Sequence, residues 1–266
     1  MSLDLGLKGV HVLITGASGG IGYETVQTFA RLGAHITAHY NTSPGPLTAH
    51  PSIHSLRADV RDPEAVESLF TQAAQNHGPV AILIINHGIF PAANTHLADI
   101  SLEQWRNTLD VNLTGAFLLS RCYLRAIRTA PESVKAVANI VLIGSTAGKF
   151  GEAGHADYAA SKAALMWGLV PSLKNEIVAV APKGRVNAVN PGWVATAMAE
   201  EALSDEGFVR RATATTALRK VARTGDVAVQ VAVVASPIVS GHVSGGNFMV
   251  DGGMEGRVLW PGGVVE

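Results

Sequence analysis

The sequence predicts an α/β protein built on a doubly wound parallel sheet of about seven strands, with helices on both faces. Two observations lead to this fold class. Short apolar runs alternate with longer segments whose apolar residues recur at helical spacing. Most of the short runs are continuously apolar, which is typical of strands buried on both faces of a parallel sheet. Strands and helices in alternation form right-handed βαβ units.

The approximate bounds of each element follow from the same patterns. Strands are predicted at residues 10–14, 35–39, 53–57, 81–85, 138–143, 185–190 and 247–250. Helices are predicted at residues 21–32, 63–76, 101–128, 157–180, 196–203 and 226–235. Pro63 suits the first position of the second helix, and Asp62 before it is a candidate N-cap. No repeat or linker divides the chain, so a single domain is expected over residues 1–266.

Composition restricts the classes of function. Of the 266 residues, 47% are hydrophobic and 15% are charged, which is enough for a sizeable core. The net charge of −1 and the lack of a basic block argue against nucleic acid or an anionic membrane surface as a main partner. No apolar run approaches the ~20 residues of a membrane span, and the N-terminus has no signal-peptide pattern. We therefore expect a cytoplasmic protein that does not bind a membrane.

Cysteine usage points to the same compartment. The only cysteine, Cys122, has no partner for an internal disulfide and fits a reducing environment. It is interpreted as a small buried apolar residue rather than as a reactive thiol. No group of histidine and cysteine residues has the spacing of a metal site, so no metal is expected.

Tyr158 and Lys162 are the first candidates for catalysis. They lie four residues apart in a predicted helix, so their side chains project from one face. Free tyrosine titrates near pH ~10 and is a poor base at neutral pH, but a cation within roughly 4–6 Å lowers its pKa. A tyrosine tuned in this way can pass a proton to or from a substrate oxygen. The alternative is an ordinary surface pair.

A glycine-rich turn follows the first predicted strand and precedes a helix. Gly16, Gly20 and Gly22 have the spacing GxxxGxG, which differs from the common dinucleotide fingerprint GxGxxG. Glycines at such a turn let the backbone approach a pyrophosphate, and the amides at the helix N-terminus point at it. The alternative is a tight turn that binds no ligand.

Polar segments follow the third and fourth strands, and ligands of open α/β sheets bind beyond these carboxyl ends. Asp59, followed by Val60, offers a carboxylate to the adenine amino group, or it caps the next helix in place of Asp62. The turn from Asn86 to Gly88 lies along a cofactor or is a plain turn. Its middle residue, His87, is interpreted as a polar turn residue rather than a catalyst.

Taken together, these motifs resemble the short-chain dehydrogenase/reductase family over almost the whole chain. The turn from Thr15 to Gly22 looks like the TGxxxGIG cofactor loop of that family, and Tyr158 and Lys162 match its YxxxK motif. Five further segments are similar to family motifs: residues 86–88 to NAG, with histidine in place of alanine; Asn112 to the catalytic asparagine; Ser145 to the catalytic serine; residues 191–196 to the PG motif; and residues 250–253 to the end of the last strand.

The resemblance implies a mechanism and a fold of the Rossmann type. Tyr158 would act as general acid in reduction and base in oxidation, and Lys162 would lower its pKa and hold the nicotinamide ribose. Ser145 would hydrogen-bond the substrate oxygen. Asn112 would sit in a helix distortion and link Lys162 to solvent through water. A hydride would move between the nicotinamide and the carbon of a carbonyl or alcohol substrate, chemistry that belongs to the cofactor.

The expected cofactor site draws on segments across the chain. Its members are Gly16, Ser18, Gly20, Ile21, Gly22, Tyr40, Asn41, Thr42, Ser43, Asp59, Val60, Asn86, Gly88, Tyr158, Lys162, Pro191, Gly192, Val194 and Thr196.

The end of the second strand favours NADP(H), with NAD(H) as the alternative. NAD-binding members of such folds usually place an acid there for the ribose diol. Residues 39–43 contain no acid, and Asn41, Thr42 and Ser43 can donate hydrogen bonds to a 2′-phosphate. Gly19 stands where many NADP-dependent relatives carry an arginine, and Arg57 is a candidate for the missing charge. The alternative is a solvated loop.

The substrate is left open by the sequence. Its walls are expected from residues 146–155 and a loop at about 193–223, and Trp193 is either part of the wall or a packing residue. Fold alone does not identify a substrate. A second class of function is a catalytically silent dinucleotide-binding regulator or scaffold, although the chain keeps all four catalytic residues. An isomerase or dehydratase with bound cofactor is a third, and the chain length argues against it.

The two long predicted helices, 101–128 and 157–180, indicate a homo-oligomer. The second is apolar around much of its circumference, as in a helix buried on more than one side. The family commonly associates through these two helices, so a homotetramer is expected. The tail, 252–266, carries Leu259 and Trp260 and is expected to reach a neighbouring subunit.

Overall fold

Seven parallel strands form one sheet in the order β3-β2-β1-β4-β5-β6-β7. The structure is a computed structural model that describes residues 4–47 and 53–256. The strands are β1 (His11–Ile14), β2 (His35–Tyr40), β3 (Ile53–Arg57), β4 (Ile82–Ile85), β5 (Asn139–Ile143), β6 (Arg185–Pro191) and β7 (Asn247–Val250). Strand β1 pairs in parallel with β2 on one side and with β4 on the other, so the strand order reverses between β1 and β4. The doubly wound Rossmann-type sheet is therefore confirmed.

Helices connect the strands and cover both faces of the sheet. They are α1 (Gly20–Arg31), α2 (Pro63–His77), α3 (Leu102–Leu109), α4 (Gly115–Arg128), α5 (Glu132–Lys135), α6 (Ala147–Phe150), α7 (Ala156–Ala163), α8 (Val170–Ile177), α9 (Glu200–Ser204), α10 (Glu206–Ala214) and α11 (Thr224–Ala235). Short 3₁₀ turns lie at Leu97–Asp99 and Ala197–Ala199. Asp62 caps α2 by accepting a hydrogen bond from the Glu64 amide at 2.9 Å, as expected from the sequence.

The sheet separates two apolar cores. On one face, α2, α4 and α8 bury side chains such as Leu69, Leu119 and Leu173 against the sheet. On the other face, α1 and α11 bury Phe29 and Val231, among others. Successive residues of a strand alternate between the two cores, because their side chains point to opposite faces. Strand β4 is therefore apolar at every position, and β1 and β5 are apolar at all but their first residue, which is the pattern seen in the sequence.

Each long predicted helix is interrupted by a π-helical turn. One turn, Asp110–Thr114, separates α3 from α4, and the other, Ala164–Leu169, separates α7 from α8. Pro171 lies just after the second turn; it has no amide to donate to the carbonyl four residues before it, which favours a local change of hydrogen bonding. The helix ends at Ile177 rather than at residue 180, and Pro182 follows.

Two further differences concern the region after β6. The sequence analysis missed α10, which is rich in charged residues and is capped by Asp205 through the Gly207 amide at 2.8 Å. The expected packing of Leu259 and Trp260 falls outside the described residues. Up to residue 256, the chain bridges from Met254 to Thr216 and approaches Phe150 at Gly256.

Candidate active site

The carboxyl ends of β1, β4, β5 and β6 meet at one edge of the sheet and carry the candidate residues. Gly16 follows β1, Asn86 follows β4, Ser145 follows β5, and Gly192 follows β6. Helix α7 brings Tyr158 and Lys162 to the same edge. The topological switch between β1 and β4 lies here, where open α/β sheets bind ligands.

The side chains of Tyr158 and Ser145 lie close enough to interact, because Ser145 lowers the pKa of the Tyr158 phenol. Ser145 Oγ accepts from the Ala147 amide at 3.1 Å, which fixes the hydroxyl at the start of α6. Burial raises the pKa of Tyr158 to about 12; Ser145 opposes this shift, and the nearby Glu152 carboxylate adds to it. The phenol is therefore protonated at neutral pH, which is the form that donates a proton.

Lys162 is buried behind this pair. Its Nζ donates to the Ile143 carbonyl at 2.8 Å and lies 5.6 Å from the centroid of the Tyr158 ring. Burial lowers the pKa of Lys162 to about 8. Lys162 is not among the groups that shift the pKa of Tyr158 here, so the expectation that it lowers this pKa stays a prediction.

Asn112 occupies the π-helical turn between α3 and α4, which confirms the expected helix distortion. Its Oδ1 accepts from the Ile89 amide at 2.8 Å. Its Nδ2 donates to the Ile89 carbonyl at 3.0 Å and to Ser161 Oγ at 3.1 Å. A Cβ on Gly88 would lie 3.3 Å from Asn112 Oδ1 and 3.5 Å from Lys162 Nζ. Asn112, Lys162 and the turn after β4 therefore share one small space.

Asp157 connects α7, the helix that carries Tyr158, to α3. Its Oδ2 accepts from Thr108 Oγ1 at 2.8 Å and from Gln104 Nε2 at 3.1 Å. Its Oδ1 accepts from the Tyr158 amide at 2.9 Å, in the first turn of α7. A carboxylate at this position also interacts favourably with the positive end of the helix dipole. This fully buried residue orients Tyr158, and the sequence analysis did not identify it.

The glycine turn has the geometry of a phosphate-binding loop. Gly16 and Gly20 have φ angles of 61° and 53°, which favour glycine. A Cβ on Gly22 would overlap the Gly16 carbonyl, so the helix must approach the loop at a glycine. Asn86 Nδ2 donates to the carbonyls of Thr15 and Gly16 at 3.0 Å each. Helix α1 begins after Gly19 without a side-chain cap, which leaves its first amides for an anion.

Two buried histidines lie beneath this loop. His39 Nδ1 accepts from the Gly16 amide at 3.3 Å, and its Nε2 donates to the Ala58 carbonyl at 3.0 Å. Burial lowers the pKa of His39, and it lowers the pKa of His87 to about 3. Both imidazoles are therefore neutral near pH 7, which agrees with the interpretation of His87 as a turn residue.

The loop after β2 is polar and exposed. Asn41, Thr42 and Ser43 are all exposed, and Arg57 Nε donates to the Asn41 carbonyl at 2.8 Å. A Cβ on Gly45 would lie 2.5 Å from the Ser18 carbonyl, so this loop runs directly beside the glycine turn. The guanidinium of Arg57 therefore lies at the start of this polar loop.

Asp59 does not cap α2, because Asp62 has that role. Both oxygens of the Asp59 carboxylate contact Arg61, with Nη2 to Oδ2 at 2.7 Å and Nε to Oδ1 at 3.0 Å. The Arg61 guanidinium lowers the pKa of Asp59. Val60 is buried beside Gly115 at the base of the π-helical turn.

The segment after β6 closes the site from the other side. The Pro191 carbonyl accepts from the Thr146 amide at 2.9 Å, and the Gly192 amide donates to the Val250 carbonyl at 3.1 Å. Val194 is buried, and a Cβ on Gly20 would lie 3.2 Å from Thr196 Cγ2. The PG segment therefore reaches the glycine turn, and Ile21 packs beneath it on the core.

An aromatic cluster lines the approach to Tyr158. The ring of Phe90 lies 4.9 Å from that of Tyr158, edge to face, and 4.0 Å from that of His155. Trp193 lies 6.4 Å from Phe90 and 4.8 Å from Phe208. Trp193 was expected as a wall residue, and His155 and Phe208 fall in the expected wall segments. Phe90 was missed, although it follows the turn at Gly88 by only two residues.

A cavity of about 480 Å³ lies between the PG segment, residues 212–222 and residues 249–253. Trp193 contributes to its wall, but Ser145 and Tyr158 do not. The cavity is therefore separate from the contacts of Ser145 and Tyr158.

Three other features of residues 4–47 and 53–256 concern metal binding, membrane insertion and Cys122. No group of three or more His, Cys, Asp or Glu side chains is arranged to hold a metal ion. No helix there has the length and apolarity to cross a membrane. Cys122 is buried in the core, as expected, and burial raises the pKa of its thiol.

Fold and site together define a dinucleotide-binding oxidoreductase. The family model described as enoyl-(acyl carrier protein) reductase matches residues 16–255. The 3-oxoacyl-(acyl-carrier-protein) reductase FabG of Vibrio cholerae is 33% identical over 258 residues, covering 94% of this chain and 99% of that protein. The FabG of Escherichia coli strain K12 is 32% identical, covering 92% and 100%. The chain belongs to the short-chain dehydrogenase/reductase family.

A solved structure supports this assignment. A short-chain dehydrogenase/reductase from Brucella melitensis, titled glucose/ribitol dehydrogenase, has a TM-score of 0.83 and 28% sequence identity, and the match covers 96% of this chain and 99% of that one.

Proposed function

We propose that the protein is an NADP(H)-dependent ketoreductase that interconverts a carbonyl and a secondary alcohol. The proximity of Ser145 to Tyr158 carries this proposal, because it would let both hydroxyl groups contact one substrate oxygen. The rival class, a catalytically silent dinucleotide-binding regulator, has no need for a half-buried, protonated phenol near Ser145 and Lys162.

The catalytic residues act on the substrate oxygen. A bound nicotinamide supplies or accepts the hydride at the substrate carbon. In reduction, Tyr158 donates its proton to the oxygen that gains negative charge, and Ser145 stabilises that charge by hydrogen bonding. Lys162 favours the resulting phenolate and holds the ribose, while Asn112 orders the space behind Lys162. General acid–base help of this kind contributes roughly 10²–10⁴-fold in rate.

The residues present fit a dinucleotide. Gly16, Ser18, Gly20, Ile21 and Gly22 would hold the pyrophosphate, Asp59 and Val60 the adenine, Asn86 and Gly88 the nicotinamide ribose, and Pro191, Gly192, Val194 and Thr196 the carboxamide. Tyr40, Asn41, Thr42 and Ser43 would surround the 2′-phosphate. The contact between Arg57 and the Asn41 carbonyl supports NADP(H), because it places a cation where an acid would select NAD(H).

The substrate is proposed to be uncharged at the reacting end. The aromatic side chains of Phe90, Trp193 and Phe208 favour an apolar group, and the carboxylate of Glu152 lies near enough to Tyr158 to raise its pKa. A free keto acid would place a second carboxylate there, and like charges repel. The names of the relatives point to 3-oxoacyl thioesters, in which the acid is masked.

A substrate panel tests this proposal. Acetoacetyl-CoA, free acetoacetate, an uncharged cyclic ketone and crotonyl-CoA are each incubated with NADPH or NADH, and absorbance at the nicotinamide band is followed. We expect turnover of the 3-oxo thioester or the ketone, weak turnover of the free acid and none of the enoyl thioester. Binding of NADPH without turnover of any member would instead support the silent regulator. Preferential reduction of crotonyl-CoA would assign an enoyl reductase.

The protein is further proposed to be a cytoplasmic homotetramer. Trp167 and Phe117 are 56% and 46% exposed in the single chain, on the two helices that were expected to associate. A two-fold axis would let the same apolar patch serve both subunits. Light scattering at micromolar concentration should give a multiple of 27.7 kDa, and a monomer would overturn the assembly. The role of residues 257–266 in a neighbouring subunit remains a proposal, tested by deleting them.

A further inference from the structure

His87 stands where the family motif has alanine, and it is only 8% exposed. Its Nε2 lies 3.1 Å from the Val111 carbonyl oxygen. Because a carbonyl can only accept, Nε2 carries the ring proton and Nδ1 is left as an acceptor. Nδ1 lies 2.9 Å from Thr15 Oγ1, which donates to it. One neutral imidazole thus connects the end of β1 to the π-helical turn.

The bond to Val111 replaces a bond that the π-helical turn has lost. In a regular α-helix, the amide of Gly115 would donate to the carbonyl four residues before it, which is that of Val111. Here the Gly115 amide donates instead to the carbonyl of Asp110, five residues before it. The His87 ring occupies the position of that donor and satisfies the Val111 carbonyl.

Gly115 provides the space for the ring. A Cβ on Gly115 would lie 2.9 Å from His87 Nε2 and 2.8 Å from Val60 Cγ2, closer than such contacts normally are. Gly115, which directly follows the turn, therefore leaves the space that the ring of His87 occupies. The sequence contains both Gly115 and His87, but no pattern in it indicated that the two residues are in contact.

The turn held in this way carries Asn112. Residue 112 follows Val111 directly, and its side chain makes two hydrogen bonds with Ile89, two residues beyond His87. The segment from His87 to Ile89 thus contacts the turn at adjacent positions. If the Val111 carbonyl lost its donor, the turn could return to regular α-helical bonding, which would rotate Asn112 away from Ile89.

We propose that His87 is a positioning residue that maintains the π-helical turn through Val111 and thereby sets the orientation of Asn112. Its effect on turnover rests on the function proposed above, whereas its effect on the turn does not.

Two variants separate the two hydrogen bonds of the ring. The amide of glutamine reaches about as far as Nε2, so His87→Gln can keep the bond to Val111. The shorter amide of asparagine reaches only as far as Nδ1, so His87→Asn keeps the bond to Thr15 alone. We expect kcat of His87→Asn to fall about tenfold or more, since small misplacements of catalytic groups are costly, with KM and the Kd for NADPH nearly unchanged. His87→Gln should stay near wild type.

Hydrogen–deuterium exchange followed by mass spectrometry reports on the turn itself. Amides in residues 110–116 should exchange faster in His87→Asn than in wild type, and His87→Gln should restore their protection. His11→Gln is the control: it alters another buried histidine, at the opposite end of β1, and should lower Tm without changing kcat or exchange at 110–116.

Equal behaviour of His87→Asn and His87→Gln in both measurements would overturn the proposal. If no substrate is found, exchange alone decides it, since the turn must respond whether or not the protein is an enzyme. If His87→Asn does not fold, Gly115→Ala replaces it, because its Cβ would displace the ring; normal exchange at 110–116 in that variant would also overturn the proposal.

Discussion

Burial acts on Tyr158 and Lys162 in the same sense, because it disfavours the charged form of each group. The pKa of the phenol is raised to about 12, and that of the ammonium group is lowered to about 8. The resting site therefore holds a proton donor beside a cation that is easily neutralised. This arrangement suits reduction, in which the phenol must begin protonated.

Lys162→Ala should reduce both the rate and the affinity for cofactor, because Lys162 has two assigned roles. Turnover should fall by roughly 10²-fold or more, as expected for loss of electrostatic support in a dry site. The Kd for NADPH, measured by fluorescence titration, should rise in parallel. Lys183→Ala, which removes an exposed lysine, should change neither quantity. An unchanged Kd in Lys162→Ala would restrict the residue to its effect on Tyr158.

For individual residues, the sequence predicted which side chains form the site better than it predicted the surroundings of those side chains. The helical spacing of Tyr158 and Lys162 placed both on one face, and the structure brings them together. The sequence could not predict the direction of the Tyr158 pKa shift, because this direction depends on how deeply the fold buries the phenol. The role of Asp157 was also hidden, since its partners Gln104 and Thr108 lie some fifty residues away.

At the scale of elements, we propose that the loop after β2 distinguishes NADPH from NADH. It runs beside Ser18 of the glycine turn, and Arg57 of β3 holds its first carbonyl. Strand pairing places Arg57 directly opposite Tyr40, so the cation lies at the end of β2. A 2′-phosphate at this point would meet hydrogen-bond donors and a positive charge, which is the basis for favouring NADPH.

Asn41→Asp should shift the preference from NADPH toward NADH. The change keeps the side-chain shape and adds a negative charge that repels a 2′-phosphate. The ratio of kcat/KM values for the two cofactors should fall about tenfold, which corresponds to 1.4 kcal/mol. Asn76→Asp makes the same change at an exposed site on α2 and should leave the ratio unaltered. A wild-type preference for NADH of tenfold or more would contradict the interpretation of this loop.

The regular elements were predictable, and the irregular ones were less so. Continuous apolar runs marked the strands to within about one residue, because both faces of the sheet are buried. The π-helical turn at Asn112 was expected only from the family resemblance. Its stabilising contact comes from His87 in a distant segment, and no local pattern in the sequence encodes it. Helix α10 was missed because its residues were interpreted as part of the substrate loop.

At the scale of the whole molecule, buried neutral histidines couple stability to pH. His11 donates from Nδ1 to the Gly78 carbonyl at 2.7 Å and accepts from Thr37 at 2.9 Å. Burial lowers its pKa to about 4, that of His87 to about 3, and also that of His39. In the unfolded chain, each titrates near pH 6.5.

The free energy of unfolding should therefore fall as the pH drops from about 6.5 toward 4. In this window the unfolded state binds protons that the native state does not, so stability rises with pH, with a slope of up to about 1.4 kcal/mol per pH unit for each histidine. Urea unfolding at a series of pH values measures this slope. His11→Gln should reduce it by about one histidine's contribution. A stability that stays flat between pH 7 and 5 would show that these histidines are protonated or exposed.

The most direct test of the account is the turnover of Tyr158→Phe with NADPH and the best substrate of the panel. Only the hydroxyl that donates the proton is lost, so kcat should fall by roughly 10²–10⁴-fold while the Kd for NADPH stays within a few-fold. Tyr123→Phe, which removes a buried hydroxyl that donates to the Ala81 carbonyl at 2.6 Å, should lower Tm but leave kcat unchanged. If Tyr158→Phe retained more than about half of the wild-type kcat, Tyr158 would not be the proton donor, and the proposed mechanism would be wrong.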